Sequence, residues 1–242
     1  MTPVPFLSAK WQHLMMINYE IDPSVLNPFI PKGTQIDLWN GKAYISLVGF
    51  LFLETYVSGI SIPFHRNFEE VNLRFYIKKS DAPEGKRRGV TFIKEIVPRW
   101  GIAWLARLLY NENYVSLPMH HLIEQQPTQL TAEYQWKFNG RWQKIRVSCH
   151  GNPHYPLPGS EAEFITEHYW GYNTLQNGDT MEYQVQHSPW RVWEVDTYTI
   201  DVDMKNLYGP PFTPFLENPP SSVFLAEGSE VMVFKGKTLP FK

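Results

Sequence analysis

Asn139-Gly140 stands between two segments that alternate apolar and polar residues, a combination that specifies a β-hairpin closed by a two-residue type I′ turn. Such a turn fixes the register. Phe138 faces Arg141, Trp136 faces Gln143, Tyr134 faces Ile145 and Ala132 faces Val147 on one side, with Lys137–Trp142 and Glu133–Arg146 pairs on the other. A slip of one residue would turn every side chain over. Asn177-Gly178 invites the same reading, which sets Tyr172 opposite Tyr183, Trp170 opposite Val185 and His168 opposite His187.

Further runs rich in β-branched and aromatic residues, Ala43–Phe52, Val71–Lys78, Val90–Val97, Val192–Val202 and Val231–Lys235, read as strands. Asp22-Pro23 places a capping side chain before a proline and predicts a short helix from Asp22 to Phe29. A longer helix is expected over Gly101–Tyr110, where Trp104, Leu105, Leu108 and Leu109 form an apolar stripe beside Arg107. No linker or repeat divides the 242 residues, and the 20 prolines and 15 glycines fall at turn-like spacing. The expectation is one domain over residues 1–242, mainly β (α+β), built as a curled sheet or barrel with a few short helices.

The charge balance gives no support to one class of partner, although local patches remain compatible with it. With 22 basic against 24 acidic residues, nothing supports a nucleic-acid-binding surface. Cys149 is the only cysteine, so an intrachain disulfide and a multi-cysteine metal site are impossible, and the thiol reads as a packed side chain. The longest apolar run, Ala43 to Leu53, is interrupted by Ser46 and Gly49 and is far shorter than the roughly 20 residues that span a bilayer. With no leader pattern at Met1–Trp11, the expected setting is the cytoplasm, away from membranes. No GxGxxG, Walker, HExxH or GxSxG pattern occurs, so no cofactor and no metal is expected. Ser160 reads as a helix cap, and the adjacent His120 and His121 would point apart.

The segment His65–Tyr76 carries the most chemistry. Strand alternation puts Val71, Leu73 and Phe75 on one side and Glu70, Asn72, Arg74 and Tyr76 on the other. An amide, a guanidinium and a phenol beside a carboxylate suit the lining of a ligand cavity, with Arg74 matched to an anion and Glu70 to acid or base work. A solvated face carrying a Glu–Arg pair has the same pattern. In Val90–Arg99 the same alternation puts Glu95 with Ile93 and Val97, and Lys94 with Phe92 and Ile96. A carboxylate among apolar groups has its charged form disfavoured, which prepares it for acid–base chemistry; pairing with Arg99 or Arg107 is the structural alternative.

Several long blocks, Asn18–Pro23, Asp37–Phe50, HRNFEEVNLRFYI (65–77), ARLLYNENY (106–114) and EFITEHYWGY (163–172), occur together and in order. Over nearly its full length the chain resembles the YqjF-like family of uncharacterised conserved bacterial proteins. That family looks like a branch of the acetoacetate decarboxylase-like superfamily. The resemblance implies a β-barrel or cone with an internal ligand cavity, short peripheral helices, and association of barrels into homo-oligomers. In acetoacetate decarboxylases a lysine after an Arg-Glu pair forms a Schiff base with the β-keto acid. The similar stretch here, Lys94-Glu95-Ile96-Val97-Pro98-Arg99-Trp100-Gly101-Ile102, has no lysine after Glu95, and Tyr19-Glu20 stands where an arginine is expected. Counterparts of the pocket glutamates are Glu69 or Glu70 and Glu95. The combined expectation is a small-molecule-binding cavity without the Schiff-base lysine, with Asn72, Arg74, Tyr76, Arg99 and His168 as ligand-binding residues. The alternative is an acid–base enzyme of small carbonyl or carboxylate compounds working through Glu70 or Glu95.

Overall fold

In the computed structural model, which describes residues 4–63, 65–83, 87–98 and 113–239, two sheets share one layer of core. Seven strands close a ring: β14 (Ser222–Val233), β1 (Leu7–Ile21), β3 (Ala43–Val57), β4 (Phe68–Lys79), β5 (Arg88–Val97), β10 (Trp170–Thr174) and β11 (Thr180–His187), which returns to β14. All neighbours are antiparallel except β5 and β10. Short strands β2 (Thr34–Ile36), β6 (Tyr114–Ser116), β12 (Val192–Glu194) and β15 (Lys237–Leu239) extend the edges. The second sheet runs β13 (Thr197–Asp201), β9 (Arg141–His150), β8 (Gln129–Phe138), β7 (Met119–Gln125). The expected helix at Gly101–Tyr110, with Arg107, lies outside the described residues, as does Arg99.

The second sheet covers the outside of the ring. Tyr134, Trp136, Ile145, Val147 and Cys149 from β8 and β9 join Ile17, Leu47, Leu73 and Phe75 in one buried cluster. The contact is close: a methyl at Gly49 of β3 would sit 2.7 Å from the Tyr134 ring. A separate buried cluster, including Leu14, Met16, Val48, Phe50, Phe68 and Trp190, lies on the inside. With apolar material on both faces, β3 is buried at every position from Ala43 to Phe52, which is why it reads as a continuous apolar run rather than an alternating one.

The β8–β9 hairpin has the expected register at every pair from Ala132–Val147 to Phe138–Arg141. Asn139 and Gly140 adopt φ of 50° and 78°, as a type I′ turn requires. The Asn177-Gly178 hairpin differs. Only Gly178 has positive φ (82°), its N–H bonds Leu175 O, and Leu175 N–H bonds Asp179 O. This is a three-residue loop ending in a left-handed glycine, one residue longer than the expected turn. The pairs are therefore Gly171–Tyr183 and Trp170–Gln184, not Tyr172–Tyr183 and Trp170–Val185, and His168 and His187 are not opposed.

The remaining elements follow their local signals. Asp22 caps α1 (Pro23–Leu26) by accepting from Ser24 N–H at 2.8 Å, and a 3₁₀ turn continues to Phe29. Ser160 caps α2 (Glu161–Thr166), accepting from Glu163 N–H. Helices α3 (Met204–Tyr208) and α4 (Thr213–Leu216) pack against the outer cluster. The run Val192–Val202 is split at Val195-Asp196 between β12 and β13, which belong to different sheets.

Candidate functional site

The ring encloses a cavity of about 240 Å³. Aromatic side chains, Trp11, Phe50, Phe52, Phe68, Phe92 and Trp190, make most of its wall, and the more exposed Ile62, with Val57 and His65, lies at its solvent end. Strand β4 supplies the polar part. Glu70, Asn72 and Arg74 all line the cavity, while Val71, Leu73 and Phe75 point into the outer cluster. Asn72 donates to Glu70 Oε1 at 2.9 Å, and the Tyr114 hydroxyl donates to Oε2 at 3.1 Å, so both oxygens of the carboxylate are engaged. Glu69, the other candidate from the family pattern, faces out and pairs with His121.

Arg74 is the unusual member. It is only 8% exposed, yet it forms no ion pair with a carboxylate among the described residues: its guanidinium meets the thioether of Met16 at 3.7 Å and the Tyr76 phenol, and its Nε is buried without a partner. The Glu–Arg pair of the solvated-face reading is not formed. Tyr76 does not line the cavity; it lies behind Arg74, with its ring 5.8 Å from the guanidinium carbon and its hydroxyl 2.7 Å from Ser46 Oγ. Ser46 donates in turn to Asn18 Oδ1 at 2.6 Å. The Tyr76 phenol, pushed up by burial, thus supports the wall and takes no direct part in it.

A β-bulge decides which charge of β5 enters the cavity. Leu73 pairs with Lys94 but Arg74 pairs with Phe92, leaving Ile93 as the extra residue. The bulge reverses the alternation: Phe92 and Glu95 line the cavity, and Ile93 and Ile96 join the outer cluster. Lys94, expected beside Phe92, instead donates to the carbonyl of Leu207 outside the ring, where burial lowers its pKa. Glu95 sits opposite Asn72 across the β4–β5 ladder.

His168 lines the cavity but makes its bond elsewhere. Its Nε2 donates to Asp37 Oδ2 at 3.3 Å, and Arg88 Nε donates to the same oxygen at 2.6 Å. Burial drives the His168 pKa down to about 4, against the pull of Asp37 and helped by Arg88. Burial would raise the Asp37 carboxyl, but the bonds from His168 and Arg88 more than offset it and hold it well below the carboxylate range. The neutral imidazole is therefore a fixed wall. His187, at the end of β11, also lines the cavity and was given no role by the sequence beyond its supposed pairing with His168. Among the described residues no three His, Cys, Asp or Glu side chains converge as a metal site, and no helix is long and apolar enough to cross a membrane.

Gly171 shows how tightly the far wall is set. A methyl there would come 2.1 Å from the Tyr183 ring, which also lines the cavity. Gly171→Ala is expected to drive that ring into the cavity and to destabilise the fold by about 1–3 kcal/mol, measured by urea unfolding. An unchanged midpoint would show that the ring has room to turn aside.

A closed ring of strands around an aromatic-walled cavity, with a second sheet on its outside, is the acetoacetate decarboxylase-like fold. The enduracididine biosynthesis enzyme MppR in complex with pyruvate superposes with a TM-score of 0.66 over 99% of this chain and 92% of its own, at 14% identity. Acetoacetate decarboxylase from Legionella pneumophila gives 0.62 over 98% of this chain and 87% of its own, at 12% identity. The chain belongs to the YqjF-like family DUF2071, described as an uncharacterized conserved protein (COG2071), whose model matches residues 8–230. The uncharacterized protein YqjF of Bacillus subtilis (strain 168) is 30% identical over 78 residues, a stretch that spans 32% of each chain.

Proposed function

We propose that this single-domain protein binds a small carboxylic acid inside the ring, with the carboxylate on Arg74 and the apolar body against the aromatic wall, and without forming an imine. The observation that carries the reading is Arg74: a nearly buried guanidinium on the cavity wall with no carboxylate partner among the described residues. A buried cation of this kind is costly unless an anion joins it, and a planar fork of N–H donors suits a carboxylate. The cavity volume, below the roughly 300 Å³ at which drug-sized pockets begin, favours a small acid. MppR, which shares the fold, is described as complexed with pyruvate. The imine-free reading is supported by Lys94, the lysine of the motif region, which is turned out of the ring to Leu207.

The test is a thermal-shift series with pyruvate, acetoacetate and phenylacetate on wild type and Arg74→Gln. An acid at about 100 times its dissociation constant adds roughly 2.7 kcal/mol, which for a chain of this size raises the midpoint by about 5–10 °C. Loss of that shift in Arg74→Gln supports the reading; no shift with any acid, or a shift that survives the substitution, overturns it. Borohydride trapping with pyruvate is expected to leave the protein mass unchanged.

A second reading, acid–base catalysis, draws on one arrangement: Glu70 bonds Asn72, and Glu95 lies across the ladder from the same amide. Two carboxylates then flank the place where an Arg74-bound acid would lie. Turnover of a bound acid that is lost in Glu95→Gln while binding persists would favour this reading over simple binding.

A further inference from the structure

Beside Arg74, which lacks a carboxylate partner among the described residues, the cavity wall carries in His187 a hydrogen-bond acceptor whose proton state is fixed by the chain. His187 Nδ1 lies 2.9 Å from the carbonyl oxygen of Ser188. A carbonyl oxygen can only accept, so Nδ1 carries the hydrogen, and in a neutral imidazole Nε2 is then a bare lone pair. The bond also sets which way the ring lies, because a half-turn would bring a C–H in place of the N–H to the Ser188 carbonyl. The ring is stacked on Trp190 with centroids 4.1 Å apart and planes at 17°, and it packs on its other neighbour, Tyr169, at 4.5 Å. Nε2 has no hydrogen-bond partner among the described residues.

The charge state agrees with the geometry. Burial lowers the His187 pKa to about 4; the Ser188 carbonyl opposes this, and the positive charge of Arg74 adds to it. Arg74 and His187 both line the same cavity. A ligand held on Arg74 by its carboxylate shares that cavity with the imidazole and its Nε2 lone pair. A ligand hydroxyl satisfies that lone pair, a methylene leaves it empty, and an oxo oxygen sets acceptor against acceptor.

We infer that the cavity selects hydroxy acids, the carboxylate resting on Arg74 and the hydroxyl donating to His187 Nε2. This deepens the carboxylate reading and rests on it. It makes His187 the residue that sets specificity, whereas Arg74 sets affinity for acids as a class.

Calorimetric titration at pH 7.5 with matched probes tests the inference: lactate, propionate and pyruvate, and the phenyl-substituted acids phenyllactate, phenylpropionate and phenylpyruvate. In whichever series binds, the hydroxy acid is expected to bind about tenfold tighter than its two counterparts. His187→Phe, which keeps an aromatic ring against Trp190 and removes the acceptor, is expected to abolish that preference. A wild type with no preference overturns the inference even if the variant does not fold, and so does a preference that survives His187→Phe. Acids that bind without a hydroxyl preference, and lose binding in Arg74→Gln, would leave the carboxylate reading standing and remove only the role of His187. If no acid of either series binds, both fall.

Discussion

Lowering the pH from 7 to 4.5 is expected to take about 4–5 kcal/mol from the stability of the folded protein, most of it through two histidines. His168 and His187 are each held with a pKa of about 4, against an ordinary value of 6.5, chiefly by burial. The unfolded chain takes up a proton on each below pH 6.5 while the folded chain does not. Stability from these groups is therefore fully present above pH 6.5, falls as the pH drops from 6.5 towards 4, and changes little below that. Each group contributes about 2 kcal/mol over this window. Urea unfolding at pH 7, 6, 5 and 4.5 should show the midpoint dropping most steeply between 6 and 4.5. His168→Gln keeps a donor for Asp37 and removes the titration, so its pH dependence should be about half as steep. A midpoint that stays constant down to pH 5 would show that the imidazoles are hydrated in the folded state.

The part of the site carried by β4 was legible because that strand is regular over Phe68–Tyr76, so period-two alternation alone sorts Glu70, Asn72 and Arg74 from Val71, Leu73 and Phe75. The rest of the wall was hidden by bulges. On β1 the inward residues are Leu7 and Trp11 before His13, and Leu14 after it; His13 has φ of 54° and the register shifts there. On β3 Phe50 and Phe52 are followed inward by Thr55 and Val57, with Glu54 at φ 51°. On β5 the extra residue Ile93 exchanges Lys94 for Glu95. Each insertion reverses the parity, and nothing in the composition of these segments marks where it falls. The same reversal hides β1, whose inward residues follow no single period. The Asn177-Gly178 error has a related origin. The dipeptide fits both a type I′ turn and the last two positions of a three-residue loop, and the two differ by one residue of register. Asp37 was missed because its partners, Arg88 and His168, lie far away in sequence and meet it only when β5 and β10 pair.

Asp37→Ala is expected to cost about 3–5 kcal/mol, the range for breaking a buried ion pair by removing one partner. For a chain of this length that lowers the thermal midpoint by about 6–20 °C. The carboxylate is 5% exposed and takes up the charge of Arg88 at 2.6 Å and of Lys78 at 3.4 Å, besides the His168 bond. Without it, the Arg88 guanidinium, lying 4.7 Å from the centre of the Phe164 ring, has no anion beside it among the described residues. Most of the expected cost thus belongs to the stranded cation rather than to a bond lost. That attribution separates the variants. Asp37→Asn keeps the volume and one acceptor and should cost less, while Arg88→Met in the Asp37→Ala background should restore part of the loss, giving a double variant more stable than the sum of the singles. The carboxyl, held below its ordinary range, adds a second pH window: its stabilisation is present above about pH 4 and is lost as the pH falls further. That acid-side decline should vanish in Asp37→Asn, separating it from the histidine window above it. Additive single costs would instead mean that Arg88 finds water when Asp37 is gone, and that Asp37 matters mainly by tying the end of β2 to Tyr76 through its backbone N–H.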